Sequence, residues 1–195
     1  YGPSLPKIFG INEKPKSDGK KLEPVIRYDI QCMSIGFLTD EKTPMIWRGP
    51  MVTSAIKTFT QQVNWKDLDF IIVDMPPGTG DTQLTFSQGI EMNGAIIVST
   101  PQEVALLDVK RGIAMFDKLG VKILGLIDNM SSFTGDDGKK YAIFGEGGVK
   151  RTAKEFNKEF LAEIPIDPNV GKFGDQGKPI VESNPNSKIS QIYIN

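Results

Sequence analysis

The chain contains no histidine and only one cysteine, Cys32, among its 195 residues. The absence of histidine excludes Ser-His and Cys-His nucleophile pairs and every histidine-ligated metal site. A single cysteine excludes a disulfide framework and fits a reducing compartment, so we expect a cytoplasmic protein. No run of about 18 apolar residues is present, which predicts no membrane-spanning helix. We also expect no membrane among the partners.

A lysine-bearing phosphate loop is also missing. The GxxxxGK[ST] pattern requires serine or threonine after a Gly-Lys pair. Every Gly-Lys pair in the chain is followed by lysine, phenylalanine or proline. Either the protein is not an NTPase or its phosphate loop lies upstream of Tyr1. Because the chain does not begin with methionine, we expect a fragment.

The overall composition is that of a globular domain. Apolar residues make up 39% of the chain and charged residues 24%, which predicts one domain over residues 1–195. The net charge of −1 argues against a nucleic-acid partner, because nonspecific nucleic-acid binding relies on a basic surface.

Apolar runs and helical patterns alternate along the chain. Strands are predicted at residues 32–38, 70–73, 95–99, 121–127 and 160–164. Helices are predicted at residues 50–63, 83–89, 103–119, 148–157 and 187–193. The strands are continuous apolar runs, which is typical of parallel sheets buried on both faces. The fold class is therefore predicted to be α/β, a doubly wound and mostly parallel sheet.

Polar side chains follow the predicted strands. Asp74 follows residues 70–73, Gln102 follows residues 95–99, and Asn129 and Asp167 follow the next two strands. Ligands of open parallel sheets bind at the carboxyl ends of the strands. We therefore expect these side chains to lie along one rim of the sheet.

The segment FIIVDMPPGTGD, residues 70–81, is the most informative stretch. A carboxylate at the end of a buried strand is costly unless a cation or hydrogen-bond donor meets it, and in P-loop NTPases Mg²⁺ has that role. The glycines after Asp74 let the backbone approach a ligand closely. The alternatives are a helix-capping aspartate and a plain turn between strand and helix.

Several motifs together resemble one known family. VDMPPGTGD, IVSTPQEVALLDVKRG, NMSSF, IFGEGG, EIPIDP and the opening YGPS are similar to segments of the Mrp/ApbC family. That family comprises ATP-binding iron–sulfur cluster carriers in the MinD/ParA branch of P-loop NTPases. The resemblance implies a partial P-loop NTPase domain whose Walker A strand, loop and helix lie upstream of Tyr1.

The resemblance also implies roles for individual residues. Asp74 is the Walker B acid that holds Mg²⁺ through water, Asn129 contacts the adenine edge, and Arg48 faces a partner subunit. Pro165 and Asp167 belong to the segment against the base or ribose. The loop that senses the γ-phosphate comprises Pro77, Gly78, Thr79, Gly80 and Asp81. Without the resemblance, Asn129 is as well explained by an asparagine that closes a strand-end turn.

The expected cofactors are ATP and Mg²⁺, and the expected partners are a second copy of the chain and iron–sulfur apoproteins. The resemblance also implies a [4Fe–4S] cluster, which family members usually share between subunits through a Cys-x-x-Cys pair after NMS. The corresponding stretch here has no cysteine. Thiolates are the usual cluster ligands, and Cys32 is predicted to be buried in a strand. One interpretation of Asp136 and Asp137 is that they ligate a hard cation instead. The alternative is that both are solvated in a turn.

The predicted function is that of a slowly ATP-hydrolysing iron–sulfur cluster carrier, with the fragment alone inactive. A MinD/ParA-like positioning or scaffold ATPase without a cluster is the alternative. A plain α/β domain that binds no nucleotide is the third, and it requires that no phosphate loop exists upstream of Tyr1.

Overall fold

The structure is a computed structural model that describes residues 4–37, 49–75, 83–84, 86 and 89–195. The chain divides into two compact units. One comprises Tyr1–Gly89 with Val170–Ser183, and the other comprises Ile90–Asn169 with Asn184–Asn195. The expectation of one domain over residues 1–195 stays a prediction.

The first unit contains short helices and one antiparallel hairpin. Its described elements between residues 4 and 61 are α1 (Ser4–Phe9), β1 (Val25–Arg27), β2 (Ile30–Cys32), a 3-10 turn (Ile35–Phe37) and α2 (Gly49–Gln61). The hairpin turn comprises Tyr28 and Asp29, whose φ angles of 52° and 58° are typical of the tight turns that join antiparallel strands. The predicted helix at residues 50–63 is confirmed as α2.

The predicted strand at residues 32–38 is mostly wrong. Strand β2 ends at Cys32, which pairs with Val25 of β1. The residue before Val25 is Pro24, which has no N–H to donate to a neighbouring strand, so pairing stops there. The chain then turns, and the Ser34 hydroxyl accepts a hydrogen bond from the Gly36 N–H at 3.1 Å.

The predicted strand at residues 70–73 is also wrong. These residues have no regular secondary structure, and Phe70 and Ile72 are 83% and 91% exposed. A strand exists only where a neighbour accepts and donates its ladder hydrogen bonds. Among the described segments none pairs with residues 70–73. Residues 70–73 are apolar, but an apolar run does not by itself provide a neighbouring strand to pair with.

The second unit is the α/β part of the molecule. Its elements are β3 (Ala95–Ser99), α3 (Glu103–Lys118), β4 (Ile123–Thr134), β5 (Lys140–Tyr141), α4 (Gly148–Glu155), β6 (Phe160–Ile166) and α7 (Lys188–Ile194). Strand β4 is parallel to β3 on one side and to β6 on the other, and its far end pairs antiparallel with β5. The sheet is therefore mixed, with parallel pairing at its centre.

Helices α5 (Pro168–Asp175) and α6 (Ile180–Ser183) lie between β6 and α7 in the chain, and no pattern predicted them. Both are short, at eight and four residues, so neither presents a long apolar stripe. The described part of the chain contains no helix with the length and hydrophobicity needed to span a bilayer.

One face of the parallel strands carries the core of the second unit. Leu106, Val109 and Ile113 of α3 are buried, as the periodicity predicts, and Phe116 packs against them. They pack with buried residues of β4 and α4, namely Ile123, Leu126, Val149 and Ala153. Gly120, at φ 70°, ends α3 in the left-handed conformation that glycine adopts without strain.

The expectation that every strand is buried on both faces is wrong for β3. Ile96 and Val98 are exposed, while Ala95, Ile97 and Ser99 are partly buried. The burial of β3 therefore alternates along the strand, as expected for a strand covered on one face. A continuous apolar run does not distinguish this arrangement from full burial.

Candidate functional site

The second unit brings the carboxyl ends of its parallel strands to one rim. Ser99 of β3 pairs with Asp128 of β4, and Asp128 pairs with Glu163 of β6. One step further along, Asn129 pairs with Ile164. The residues that follow β3 and β6, including Gln102 and Asp167, leave the sheet at this same end, so the rim collects the polar side chains of this unit.

Asn129 lies at the last regular pairing position before an irregularity in β4. Its side chain is half-buried. Within the described part of the chain, its amide makes no hydrogen bond. A half-exposed amide with a free donor and a free acceptor can bind the edge of a base or another planar polar group. The predicted adenine contact of Asn129 stays a prediction, and this geometry is compatible with it.

The segment after β6 has a clear local role. Pro165 lies inside β6, which pairs with β4 alone among the described strands, so its missing N–H is tolerated. Asp167 caps α5: its Oδ1 accepts hydrogen bonds from the Asn169 backbone N–H at 2.8 Å and from Asn169 Nδ2 at 2.9 Å. The predicted contacts of Pro165 and Asp167 with a base or ribose therefore stay predictions beside this capping role.

Asp128 is a rim residue whose importance the sequence did not indicate. Its side chain is 1% exposed, and its Oδ1 has no hydrogen-bond partner among the described residues. Burial, with a smaller contribution from the charge of Glu163 on the next strand, raises the pKa of Asp128 from 3.8 to about 6. An ionised carboxylate here is costly because burial disfavours the charged form.

We expect Asp128→Asn to stabilise the protein above pH 6. Because the folded-state pKa is raised, the folded protein binds this proton more tightly than the unfolded chain does. The contribution is present below pH 3.8 and is lost as pH rises through about 6. Removing the charge should therefore raise the free energy of unfolding by about 2 kcal/mol at pH 7.5 and leave it unchanged at pH 4.

Urea unfolding of wild type and Asp128→Asn across this pH range measures the effect. Asp108→Asn is the matched control, since Asp108 is exposed and pairs with exposed Arg111 in the same helix. A stability difference that is the same at both pH values would show that the charge of Asp128 is not its cause.

A close backbone approach shapes the loop after β3. A Cβ atom at Gly148, the first residue of α4, would overlap the carbonyl oxygen of Pro101 and lie 2.9 Å from Cδ1 of Leu106. The neighbouring Gln102 precedes α3, and its buried Oε1 lacks a hydrogen-bond partner among the described residues. Because Gly148 has no side chain, the Pro101–Gln102 peptide can lie close to the start of α4. The adjacent glycines of IFGEGG were the only indication in the sequence.

The predicted magnesium acid lies in the first unit. Asp74 is exposed and follows the irregular residues 70–73, so the argument from a buried strand end does not apply to it. The resemblance alone supports its role, which stays a prediction. The loop residues Pro77, Gly78, Thr79, Gly80 and Asp81 lie outside the described residues, and so does Arg48.

A small cavity of about 190 Å³ lies elsewhere in the first unit, beside α1. Lys7, Asn12 and Asp175 contribute polar groups to its lining. The cavity contains none of the predicted site residues.

The turn between β4 and β5 is closed by its own side chains. The two carboxylate oxygens of Asp137 accept hydrogen bonds from the Lys139 backbone N–H at 3.0 Å and the Tyr141 hydroxyl at 2.8 Å. Both hydrogen bonds lower the pKa of Asp137, and the one from the Lys139 N–H has the larger effect. The described residues include no group of three or more histidine, cysteine or acidic side chains able to hold a metal ion. The solvated-turn interpretation of Asp136 and Asp137 fits these contacts.

Cys32 is buried, as predicted. Its side chain is 4% exposed and belongs to a core cluster with Ile11, Val25 and Phe37. Burial raises the pKa of the Cys32 thiol, which disfavours the thiolate that metal clusters require. Cys32 therefore acts as a small apolar residue in this structure.

Parallel strands joined through helices, with polar side chains gathered at their carboxyl ends, define the class of open α/β domains that bind ligands at this edge. A family model described as ParA, NUBPL iron-transfer P-loop NTPase, matches residues 1–195. The chain belongs to this family. The predicted family relationship and the predicted P-loop NTPase-like α/β fold are thereby confirmed.

Two curated relatives are similar over nearly the whole chain. The Arabidopsis thaliana iron-sulfur protein required for NADH dehydrogenase, mitochondrial, is 47% identical over 99% of this chain and 62% of its own length. The Mus musculus iron-sulfur cluster transfer protein NUBPL is 44% identical over 100% of this chain and 61% of its own. The chain thus spans less than two thirds of either relative.

A solved structure is similar at the level of the fold and the sequence. The nucleotide-binding protein from Archaeoglobus fulgidus, in complex with ADP, superposes with a TM-score of 0.76 at 37% identity. The match covers 91% of this chain and 70% of that protein.

Proposed function

We propose that this protein binds ATP, hydrolyses it slowly and takes part in iron–sulfur cluster delivery. The observation that carries the nucleotide part is the Asn129 amide, half-buried at the strand-end rim and without a hydrogen bond among the described residues. The names of the two relatives and the ADP complex of the Archaeoglobus protein support the assignment. The 195 residues by themselves are expected to be inactive, because they contain no lysine-bearing phosphate loop.

In this proposal each named residue has a separate task. Asn129 binds the base edge, and Pro165 and Asp167 flank the base or ribose. Asp74 supplies an exposed carboxylate to Mg²⁺, which is commonly held by one or two carboxylates together with phosphate oxygens and water. Asp74 and the 77–81 loop would hold Mg²⁺ and the γ-phosphate, and the bound metal would supply positive charge beside the phosphate oxygens.

We expect Asn129→Ala to weaken ATP binding about tenfold, because the base would lose hydrogen bonds to the amide. Isothermal titration with ATP and Mg²⁺, on protein expressed from the complete gene, measures this loss. Asn186→Ala is the control, since Asn186 is an exposed asparagine remote in sequence from the rim. Wild-type protein that binds no ATP would contradict the proposed function, whereas unchanged affinity in Asn129→Ala would contradict only the role of Asn129.

The residues of the printed chain do not fit a cluster held by thiolates. The turn where relatives of the predicted family carry two cysteines is closed here by Asp137 and Tyr141, and Cys32 is buried in the first unit. No step of cluster transfer is therefore assigned to any residue. This observation favours the second candidate, a MinD/ParA-like positioning or scaffold ATPase without a cluster.

Anaerobic reconstitution with iron and sulfide distinguishes the two candidates. If the protein holds no cluster, we expect substoichiometric iron and no absorbance band from iron–sulfur charge transfer. Cys32→Ala should give the same iron content, because a buried thiol does not exchange onto iron readily. A ferredoxin reconstituted in parallel controls the procedure. Stoichiometric iron that disappears in Cys32→Ala would contradict the buried role of Cys32.

The remaining assignments are part of the same proposal. The active form is a homodimer with ATP between its subunits, iron–sulfur apoproteins are its clients, and the cytoplasm is its location. Neither nucleic acid nor membrane is a partner. Sedimentation with and without ATP measures the dimer, and imaging of the tagged complete protein measures the location.

A further inference from the structure

Strand β4 departs from regular pairing immediately after Asn129. Asn129 pairs with Ile164 of β6, and the next pair is Phe133 with Ile166. Residues 130–132 of β4 therefore lie opposite a single residue of β6, Pro165. Proline has no N–H to donate to a ladder, so the neighbouring strand loses a hydrogen bond at this position. The extra residues form a bulge there, and bulges commonly redirect a side chain next to a functional site.

Met130 begins the bulge in a left-handed conformation, with φ 55°. Side chains with a Cβ atom are strained in this region, and glycine or asparagine adopts it more readily. Met130 does not belong to the buried core, because its side chain is 42% exposed. Strained residues of this kind persist where the surrounding structure holds them, often beside a ligand.

The strained residue is adjacent to the amide that the proposed function uses. The peptide between Asn129 and Met130 is oriented by the dihedral angles of both residues. A change from the left-handed to an extended conformation at Met130 would rotate this peptide and redirect the chain beside Asn129. The Asn129 amide is half-buried and has no hydrogen bond among the described residues that would fix its direction.

We propose that the left-handed backbone of Met130 is the positioning device that orients the Asn129 amide toward the purine base of a nucleoside triphosphate. This inference rests on the proposed function. Discrimination between adenine and guanine then depends on the backbone conformation at position 130 rather than on the methionine side chain. Met130 is a positioning residue, because it acts through Asn129.

A purely structural role predicts a different outcome. Beyond the bulge, Phe133 and Thr134 pair with Tyr141 and Lys140 of β5, so the bulge also guides β4 into the β4–β5 hairpin. If that were its only task, substitutions at Met130 would change thermal stability and leave the ratio of ATP to GTP affinity unchanged. The affinity ratio is therefore the decisive measurement.

The experiment uses protein expressed from the complete gene and two pairs of variants. Met130→Gly and Met130→Asn remove the side chain but suit a left-handed residue, whereas Met130→Val and Met130→Ile carry β-branched side chains that disfavour it. Dissociation constants for ATP and GTP and the thermal midpoint are measured for each variant.

We expect the glycine and asparagine variants to keep ATP affinity and the ATP-to-GTP ratio within about twofold of wild type. The valine and isoleucine variants should lose about tenfold in ATP affinity and most of the discrimination, as we also expect for Asn129→Ala. In an Asn129→Ala background, Met130→Val should cause no further loss of discrimination, because the two substitutions act on one interaction.

Two results would overturn the inference. Wild-type discrimination in a folded Met130→Val or Met130→Ile protein would show that the left-handed backbone is not needed. Lost discrimination in Met130→Gly and Met130→Asn would assign it to the methionine side chain, and these variants decide the question even if the β-branched ones do not fold. Wild-type protein that binds neither nucleotide would instead overturn the proposed function.

Discussion

Asp74→Asn will lower the rate of ATP hydrolysis about 100-fold in the protein expressed from its complete gene. The asparagine keeps the size of the side chain but removes the negative charge that attracts Mg²⁺. In the proposed function Mg²⁺ would neutralise charge on the phosphate oxygens, so its loss would raise the barrier of the chemical step. Steady-state phosphate release at saturating ATP and Mg²⁺ measures the change.

The control for this variant comes from the same segment. Asp69 is an exposed aspartate five positions before Asp74, so Asp69→Asn makes the same change of charge outside the proposed site. We expect turnover of Asp69→Asn to equal that of wild type. Equal turnover in wild type and Asp74→Asn would remove the magnesium-binding role from Asp74.

Gly148→Ala will destabilise the second unit by about 3 kcal/mol. The added methyl group would overlap the carbonyl oxygen of Pro101 and contact Cδ1 of Leu106, which is buried in the core. Backbone cannot rotate away as the end of a flexible side chain can, so α4 and the Pro101–Gln102 peptide must separate. Because Gln102 precedes α3, the shift also reaches the rim, and urea unfolding together with ATP titration measures both consequences.

A second glycine provides a sharp comparison. Gly112 lies inside α3, and a Cβ atom there would have no neighbour within 4 Å. Gly112→Ala should therefore stabilise the protein by about 0.5–1 kcal/mol, the usual advantage of alanine over glycine in a helix. If both variants changed stability in the same direction, the close approach at Gly148 would not be the cause of its effect.

Local patterns predicted the helices of the second unit well. The spacing of Leu106, Val109 and Ile113 identified the buried face of α3 because helical periodicity is a property of neighbouring residues. Ser187 was placed at the start of the last helix, and its hydroxyl oxygen accepts a hydrogen bond from the Ser190 N–H at 3.2 Å. Such caps form within one turn of chain, so the sequence contains the necessary information.

Strand predictions were less secure, because a strand depends on a distant partner. The apolar residues 95–99 form β3 and pair with β4, whereas the equally apolar residues 70–73 are exposed and irregular. The two runs have nearly the same composition. They differ in whether another strand pairs with them, which no local pattern encodes.

Part of the candidate site was predictable for a similar reason. The sequence predicted a strand that ends just before Asn129, whereas β4 continues to Thr134. The parallel register of β4 with β3 and β6 brings Asn129 to a shared rim, where regular pairing with β6 ends. The burial of Asp128 could not be predicted. It depends on α3 and α4 covering one face of the sheet, and a short acid after an apolar run otherwise suggests solvent exposure.

By itself, the sequence determined the family, the α/β class, the absence of a lysine-bearing phosphate loop from the chain and the lack of thiolate pairs for a cluster. These are statements about residue types and their order, which any chain displays before it folds. The tertiary structure alone decided which apolar runs became strands, that Asp128 is buried beside Glu163 with a pKa near 6, and that Met130 is strained next to Asn129. Each of these depends on contacts between residues far apart in the chain, since pairing, burial and backbone strain arise only when segments meet.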